Sequence, residues 1–540
     1  MLKRLQGVAL AAALLMSGSG IAMSQALNDN LLSDPRVRQA IAYAVDMDTI
    51  GETLFEGRVI VADSLLPNGP LKPAGLNPYS YDPDKARELL AAAGWDSSRE
   101  LDVVFYYGDQ LTVDFMAAVQ AYLADVGIKI SYRKIQGDVN AALSAPPTDP
   151  VDGQAGIDWD LAYGATAALA LQEFYNVYKT GISANTPGNA ERDALIAGIN
   201  ASSDPDELKP AYAAIQQYFS ESMDSIPLYY QQLFIYESNK LNRNGNGYGN
   251  AQFNYDWGIT EWTIEPDANG KMIMNTNTAP AQFFEMPWKN LGIWITSKVV
   301  FDRLLVTDGG MSSFEGSMAE SFDVSADGMT VNVTLKDGLT WHDGAALTID
   351  DVVWSLQTAM KAGTINSVVS NTVMSIEGAS AYQDGSADSA SGLSTDGNTI
   401  TLQFETLDPN VLLTLSQFAI LPKHLLDGVD PLQLQQHAYW QNPVGSGSFK
   451  IEEVQMNDFV RYVPFEGYHG GVAKLDEIVA FPSGDGDANL IKNATAGKMD
   501  YGFTKNVPDV AALEALGTMR VIAADIPYTR GFWVNKFALK

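Results

Sequence analysis

Two helix starts of one kind constrain this chain most. At Asp34-Pro35 and again at Asp82-Pro83 a carboxylate stands where it can cap free N–H groups, and proline follows at a helical position that needs no donor. The first opens the apolar run Val37 to Val45. The second opens a buried stripe of Ala86, Leu89, Leu90 and Ala93, closed at Gly94. Leu101 to Tyr107 then predicts a strand, Val113 to Val126 a third helix ended by Gly127, and Ile128 to Arg133 another strand. Such alternation predicts an α/β lobe.

The pattern continues with a loop at Ala145 to Asp158 and a short strand at Trp159 to Gly164 with the turn after it. Helices follow at Glu191 to Asn200 and Pro205 to Met223, then an extended run from Ile226 to Tyr236. Asn242 to Asn250 is a Gly/Asn-rich loop, and Glu265 to Lys271 is a turn-rich connection. Beyond it the texture is richer in β. Val331, Val333 and Leu335 alternate with polar residues, as do Ile400, Leu402 and Phe404 behind the turn Asp396-Gly397. Between them Thr348 and Asp351 predict a capping box for the helix Val352 to Lys361. Tyr382 to Asn398 is expected to be a polar loop.

At 540 residues the chain exceeds one ordinary core, and two or three domains are expected. Lys3 and Arg4, the apolar run Val8 to Met16 and the small residues up to Ala26 lay out a secretory signal peptide over residues 1–26. The run is too short to span a bilayer, so no membrane insertion is expected. With no cysteine there is neither a disulfide nor a lipid-bearing thiol, which points to a free periplasmic protein rather than a lipoprotein. The net charge of −31 would repel nucleic acid and anionic lipid. Solubility explains it ahead of attraction of cationic ligands.

Catalytic motifs are missing. His342, His424, His437 and His469 share no short ligand spacing, so neither a metal site nor another cofactor is expected. His342, in the turn Trp341-His342-Asp343-Gly344, is weighed as a ligand contact against a satisfied turn histidine. There is no Gly-x-Ser-x-Gly elbow, Walker loop or His-Glu-x-x-His helix. Gly245-Asn-Gly-Tyr-Gly249 lacks the strand and helix that a nucleotide loop needs. A secreted glycoside hydrolase remains the rival from another class, because 65 acidic residues supply carboxylate pairs by chance. A structural envelope protein is the third reading.

Several segments together resemble the extracellular solute-binding family 5, the dipeptide, oligopeptide and nickel receptors. They are Leu339-Thr-Trp-His-Asp-Gly344 with Thr348-Ile-Asp-Asp-Val352, Ile420-Leu-Pro-Lys-His424 and Pro443-Val-Gly-Ser-Gly447. To these add Asp34-Pro-Arg-Val-Arg-Gln-Ala-Ile41 with Ala44-Val-Asp46, and Tyr81-Asp-Pro-Asp-Lys-Ala-Arg-Glu-Leu-Leu90 with Ala93-Gly-Trp95. In the family the Trp-His-Asp-Gly segment precedes the Val-Arg-Gln-Ala segment; here the order is exchanged. Read on from Lys540 into Leu27, the run Gly531-Phe-Trp-Val-Asn-Lys-Phe537 leads into Asp34-Pro-Arg-Val-Arg38 in the family's usual sequence. The resemblance thus implies a circular permutant, in preference to a misassembled gene.

The resemblance implies a two-lobed periplasmic-binding-protein fold of class II type, α/β with an extra β-rich subdomain, that binds a solute and catalyses nothing. One lobe is expected at 27–224 plus 529–540, the other at 225–528. Residues 265–271 would join the family's usual termini, and the crossings are expected near Asp224 to Leu228 and Asp525 to Thr529. The partners implied are a small polar solute and the membrane permease of an ABC importer, with the receptor a monomer. Phe283, Phe284, Glu285 and Trp288 follow a strand whose loop faces the cleft in the family; Tyr163 and Trp440 are the other aromatic candidates. Peptide-binding members place an aspartate after the strand that holds Tyr163, where it pairs with a peptide's amino group. Here no carboxylate occurs before Glu173, which favours a neutral, oligosaccharide-like ligand over a peptide unless Glu173 or Glu285 replaces that acid.

Overall fold

The computed structural model describes residues 29–248, 256–278, 284–291, 295–308, 311, 313–363, 365–455, 458–482 and 489–539. The expected signal peptide and Phe283 lie outside them.

The local signals act as the sequence says. Asp34 accepts from Arg36 N at the start of helix Pro35–Ala44, and Asp82 accepts from Lys85 N at the start of Pro83–Ala93. Gly94 ends the second at φ 71°, a left-handed conformation that glycine adopts without a Cβ penalty. The third helix, Gln110–Asp125, begins a turn earlier than expected because Asp109 caps it through Thr112 N at 2.8 Å. Strands Glu100–Phe105, Lys129–Lys134 and Leu161–Ala167 lie side by side in parallel. The last of these has no turn after Gly164, contrary to expectation. A Cβ there would meet the Trp533 ring at 2.7 Å, so the glycine serves close packing inside the strand.

Two long strands, Ser225–Ser238 and Met519–Val534, run antiparallel through the middle of an eleven-stranded mixed sheet. They serve two cores. Ile226, Leu228 and Tyr229 pack with Val37, Ile41, Phe115, Phe532 and Val534. Leu233 and Ile235 pack instead with Met274, Trp288, Val299 and Ile526. The register breaks between Asp525 and Thr529, opposite Gln232 and Tyr230, so Ile526, Pro527 and Tyr528 face Gln231 alone. Pro527 has no N–H to give the ladder, and an irregularity there bends the strand. Phe234, on the opposite face of the strand from Leu233 and Ile235, packs with the first core.

Strands Ala319–Val324, Thr330–Leu335, Thr399–Gln403 and Leu393–Asp396 form a separate four-stranded antiparallel sheet, in that order. Helix Ile349–Lys361 beside it starts with the expected Thr348–Asp351 capping box. The segment expected as a polar loop, Tyr382 to Asn398, instead contains strand Leu393–Asp396. Leu393 pairs with Leu402 and the hairpin turns at Gly397, φ 57°.

The first and last described segments meet. The buried Asn30 side chain donates to Asn535 O and Phe537 O, both at 2.9 Å. Residues 265–271 are exposed throughout and close on themselves, with Asp267 N donating to Lys271 O at 2.8 Å.

Candidate functional site

At the break in the second long strand lies a cavity of about 250 Å³. Arg530, Gln231, Lys505, Asn506, Tyr163, Tyr229 and Asp109 are among the residues that line it. The Arg530 guanidinium lies on the Tyr107 ring, 3.8 Å from its centroid, and its Nε donates to Gln231 Oε1 at 2.6 Å. Gln231 Nε2 in turn donates to Lys505 O at 3.1 Å. Lys505 Nζ sits 4.2 Å above the Tyr528 ring. Arg530 is only 8% exposed, and its Nη1 finds no acceptor among the described residues. Neither cation forms an ion pair with a described carboxylate. Asp109 lines the same cavity, but both its oxygens accept from the Thr112 hydroxyl at 3.0 Å and one also caps the helix.

One end of the same strands carries a second group of buried cations. Asp224 precedes the first strand and Lys536 follows the second. Arg192 Nη1 lies 3.1 Å and Arg38 Nη2 3.6 Å from the Asp224 carboxylate. Lys536 Nζ donates to Asp224 O at 2.8 Å and Val534 O at 2.9 Å. Further carbonyls satisfy the arginines: Leu32 O for Arg38, and Tyr178 O and Pro187 O for Arg192. Burial raises the Asp224 carboxyl, but Lys536, Arg38 and Arg192 together outweigh it and hold its pKa below the usual value.

Another cavity, of about 370 Å³, opens between Ala165 to Leu169, Glu173 and Trp533 on one side and Asn366 to Val368 on the other. Glu173 Oε1 accepts from Asn176 at 3.0 Å and, across this opening, from Asn371 at 3.2 Å.

Residues 10–171 and 313–536, more than half of the chain, match the family described as bacterial extracellular solute-binding proteins, family 5 Middle. The chain belongs to this family.

Among relatives of this family 5 protein, a putative ABC transporter peptide-binding protein of Brucella ovis is 26% identical over 226 residues, 42% of this chain and 40% of the relative. The oligopeptide-binding protein OppA of Lactococcus lactis subsp. lactis is 28% identical over 187 residues, 33% of this chain and 31% of its own. The chain thus spans about 40% or less of the length of these curated relatives. The solved oligopeptide-binding protein AppA of Bacillus subtilis, in complex with a nonapeptide, is 21% identical, with a TM-score of 0.35 over 43% of each chain. Lactococcal OppA in its closed conformation is 22% identical, with a TM-score of 0.35 over 42% of this chain and 44% of that one.

In this family 5 chain the residues singled out from sequence fall into two groups. Tyr163 lines the cavity at the strand break, its hydroxyl 2.6 Å from that of Tyr229, and Glu173 lines the other cavity. Phe284, Glu285, Trp288 and Trp440 gather elsewhere and line neither cavity. Phe284 N donates to Trp440 O at 3.0 Å, and Glu285 pairs with Lys289 at 3.0 Å. Trp288 and Trp440 correct the expectation of ligand stacking: both are fully buried. Trp288 stacks on Phe418 and donates to Ala419 O, and Trp440 donates to Leu434 O. A Trp with both its ring and its N–H satisfied is core. His342 is the satisfied turn histidine. Its Nδ1 accepts from Gly445 N at 3.3 Å and its Nε2 donates to Gly447 O at 3.0 Å, while burial pushes its pKa down to about 4. Arg530 and Lys505 were missed. The available signal was a basic residue inside an apolar strand run, which is costly unless it is used.

Proposed function

We propose that this chain is the solute-binding receptor of an ABC importer. It captures a small polar solute, peptide-like or oligosaccharide-like, at the strand crossing, closes, and delivers it to a membrane permease from the periplasm. The observation that carries this is the break at Ile526 to Tyr528. Two cores share two strands, and the register fails at their boundary, beside a cavity. A few dihedral changes at such a point rotate one core against the other, and a solute that contacts both shifts the population toward closure. The relatives named as peptide-binding favour a peptide-like solute, and Glu173 supplies a carboxylate that lines a cavity. The hydrolase alternative is disfavoured at the strand crossing, because the two cavities described above each have a single lining carboxylate, Asp109 in one and Glu173 in the other. Native mass spectrometry of the purified protein is expected to show one small solute per chain. A protein that arrives empty and takes up nothing from a small-metabolite extract contradicts the reading.

We also infer that the lobes are 27–224 with 529–540, and 225–528, and that the chain is circularly permuted. The Asn30 bonds to Asn535 and Phe537, and the exposed, self-closing turn at 265–271, support this order. A chain reopened at 268–269 and joined from 540 to 27 is expected to fold and bind as this one does; failure to fold contradicts the permutation.

A further inference from the structure

We propose that the cavity at the strand break is an anion subsite, in which Arg530 Nη1 and Lys505 Nζ hold a carboxylate of the solute. The inference rests on the receptor reading above and names its ligand class. It replaces the neutral-ligand expectation.

The Tyr107 face and the Gln231 amide oxygen hold the Arg530 guanidinium in place, and its Nη1 has no acceptor among the described residues. A buried guanidinium without a counter-charge is costly and persists where something else requires it. Lys505 adds a second cation on the same cavity. Burial pushes its ammonium below the ordinary lysine value, with Tyr528 opposing and Arg530 adding to the effect, so the two cations raise each other's cost. The other charges lining the cavity do not relieve them. Arg58 pairs with Glu514 at 3.0 Å, and Asp109 is held by its helix cap. A carboxylate supplies the absent charge, and its two oxygens match one guanidinium nitrogen and one ammonium, whereas a phosphate would leave an oxygen unmet. Because Gln231 lies opposite the break and Arg530 just beyond it, binding the anion would also order the hinge.

The test incubates the full chain, stripped of solute by unfolding and refolding, with one defined mixture. The mixture holds tripeptides with free, acetylated and amidated ends, neutral oligosaccharides and sugar phosphates. Retained species are identified by mass spectrometry. Species with a free carboxylate are expected, with their amidated counterparts absent. Arg530→Gln and Lys505→Gln, each with a wild-type circular dichroism spectrum, are expected to retain them at least about thirty-fold less tightly. Amides, neutral sugars or sugar phosphates retained as well as the acids would overturn the proposal, as would unchanged retention by both variants. Retention of nothing at all would instead count against the receptor reading itself.

Discussion

The two long strands hold buried cations at one end of their shared run and at its middle, and the two places treat them in opposite ways. Around Asp224, Arg38, Arg192 and Lys536 are paired with one carboxylate and a ring of carbonyls. At the break, Arg530 and Lys505 rest on tyrosine faces with no carboxylate partner among the described residues. The first arrangement is complete and ties the root of both strands to helices Pro35–Ala44 and Ala190–Ile199. The second is incomplete and lies where the molecule has a cavity and a register failure. His342 shows a third solution, a half-buried base kept neutral between two backbone groups. Pairing and neutralisation serve stability; in the anion-subsite proposal, a cation with no carboxylate among the described residues, beside a cavity, serves a ligand.

The comparison breaks most visibly at Asp224. Asp224→Asn leaves three buried cations without their counter-charge and is expected to cost about 3–5 kcal/mol, read by denaturant unfolding. The same residue sets an acid limit. Its folded pKa lies below the unfolded value of about 4, so its stabilisation is present above that value and is lost as pH falls through the folded one. The acid-induced loss below about pH 4 should shrink in the Asn variant.

His342 acts in a higher window. Its folded pKa of about 4 lies below an unfolded value of 6.5, so the unfolded chain binds the proton first and stability falls as pH drops from 6.5 to 4. A loss of roughly 2–3 kcal/mol across that window is expected by the same unfolding measurement, and His342→Gln should remove it.

Asn30→Ala tests the meeting of the two ends. It strands two carbonyls in a buried place and should cost about 1–3 kcal/mol in a thermal melt. The smallest stability change belongs to Arg530→Met, which removes a charge with no carboxylate partner among the described residues. It is expected to stay within about 1 kcal/mol of the parent or to exceed it. A loss as large as that of Asp224→Asn would erase the distinction between the two clusters.

Legibility followed distance along the chain. The helix starts at Asp34, Asp82 and Thr348 were readable because a cap and its target lie within three residues. The two-lobed α/β class was readable from alternation and from the family's segments. Nothing in the apolar run from Ile226 to Ile235 marks which core each residue joins. Trp288 and Trp440 looked like cleft aromatics because neither sequence neighbourhood reveals Phe418 or the carbonyls that satisfy them. Arg530 was passed over for the same reason. Its meaning depends on Gln231 and Tyr107, hundreds of residues away, and on the absence of a carboxylate that only the assembled sheet makes evident.

The central claim is that this family 5 chain closes on a solute about the break at Ile526 to Tyr528. Small-angle scattering of the stripped protein, before and after saturation with the solute identified by mass spectrometry, tests it most directly. A smaller radius of gyration in the saturated protein is the expected result. An unchanged radius at full occupancy would contradict closure.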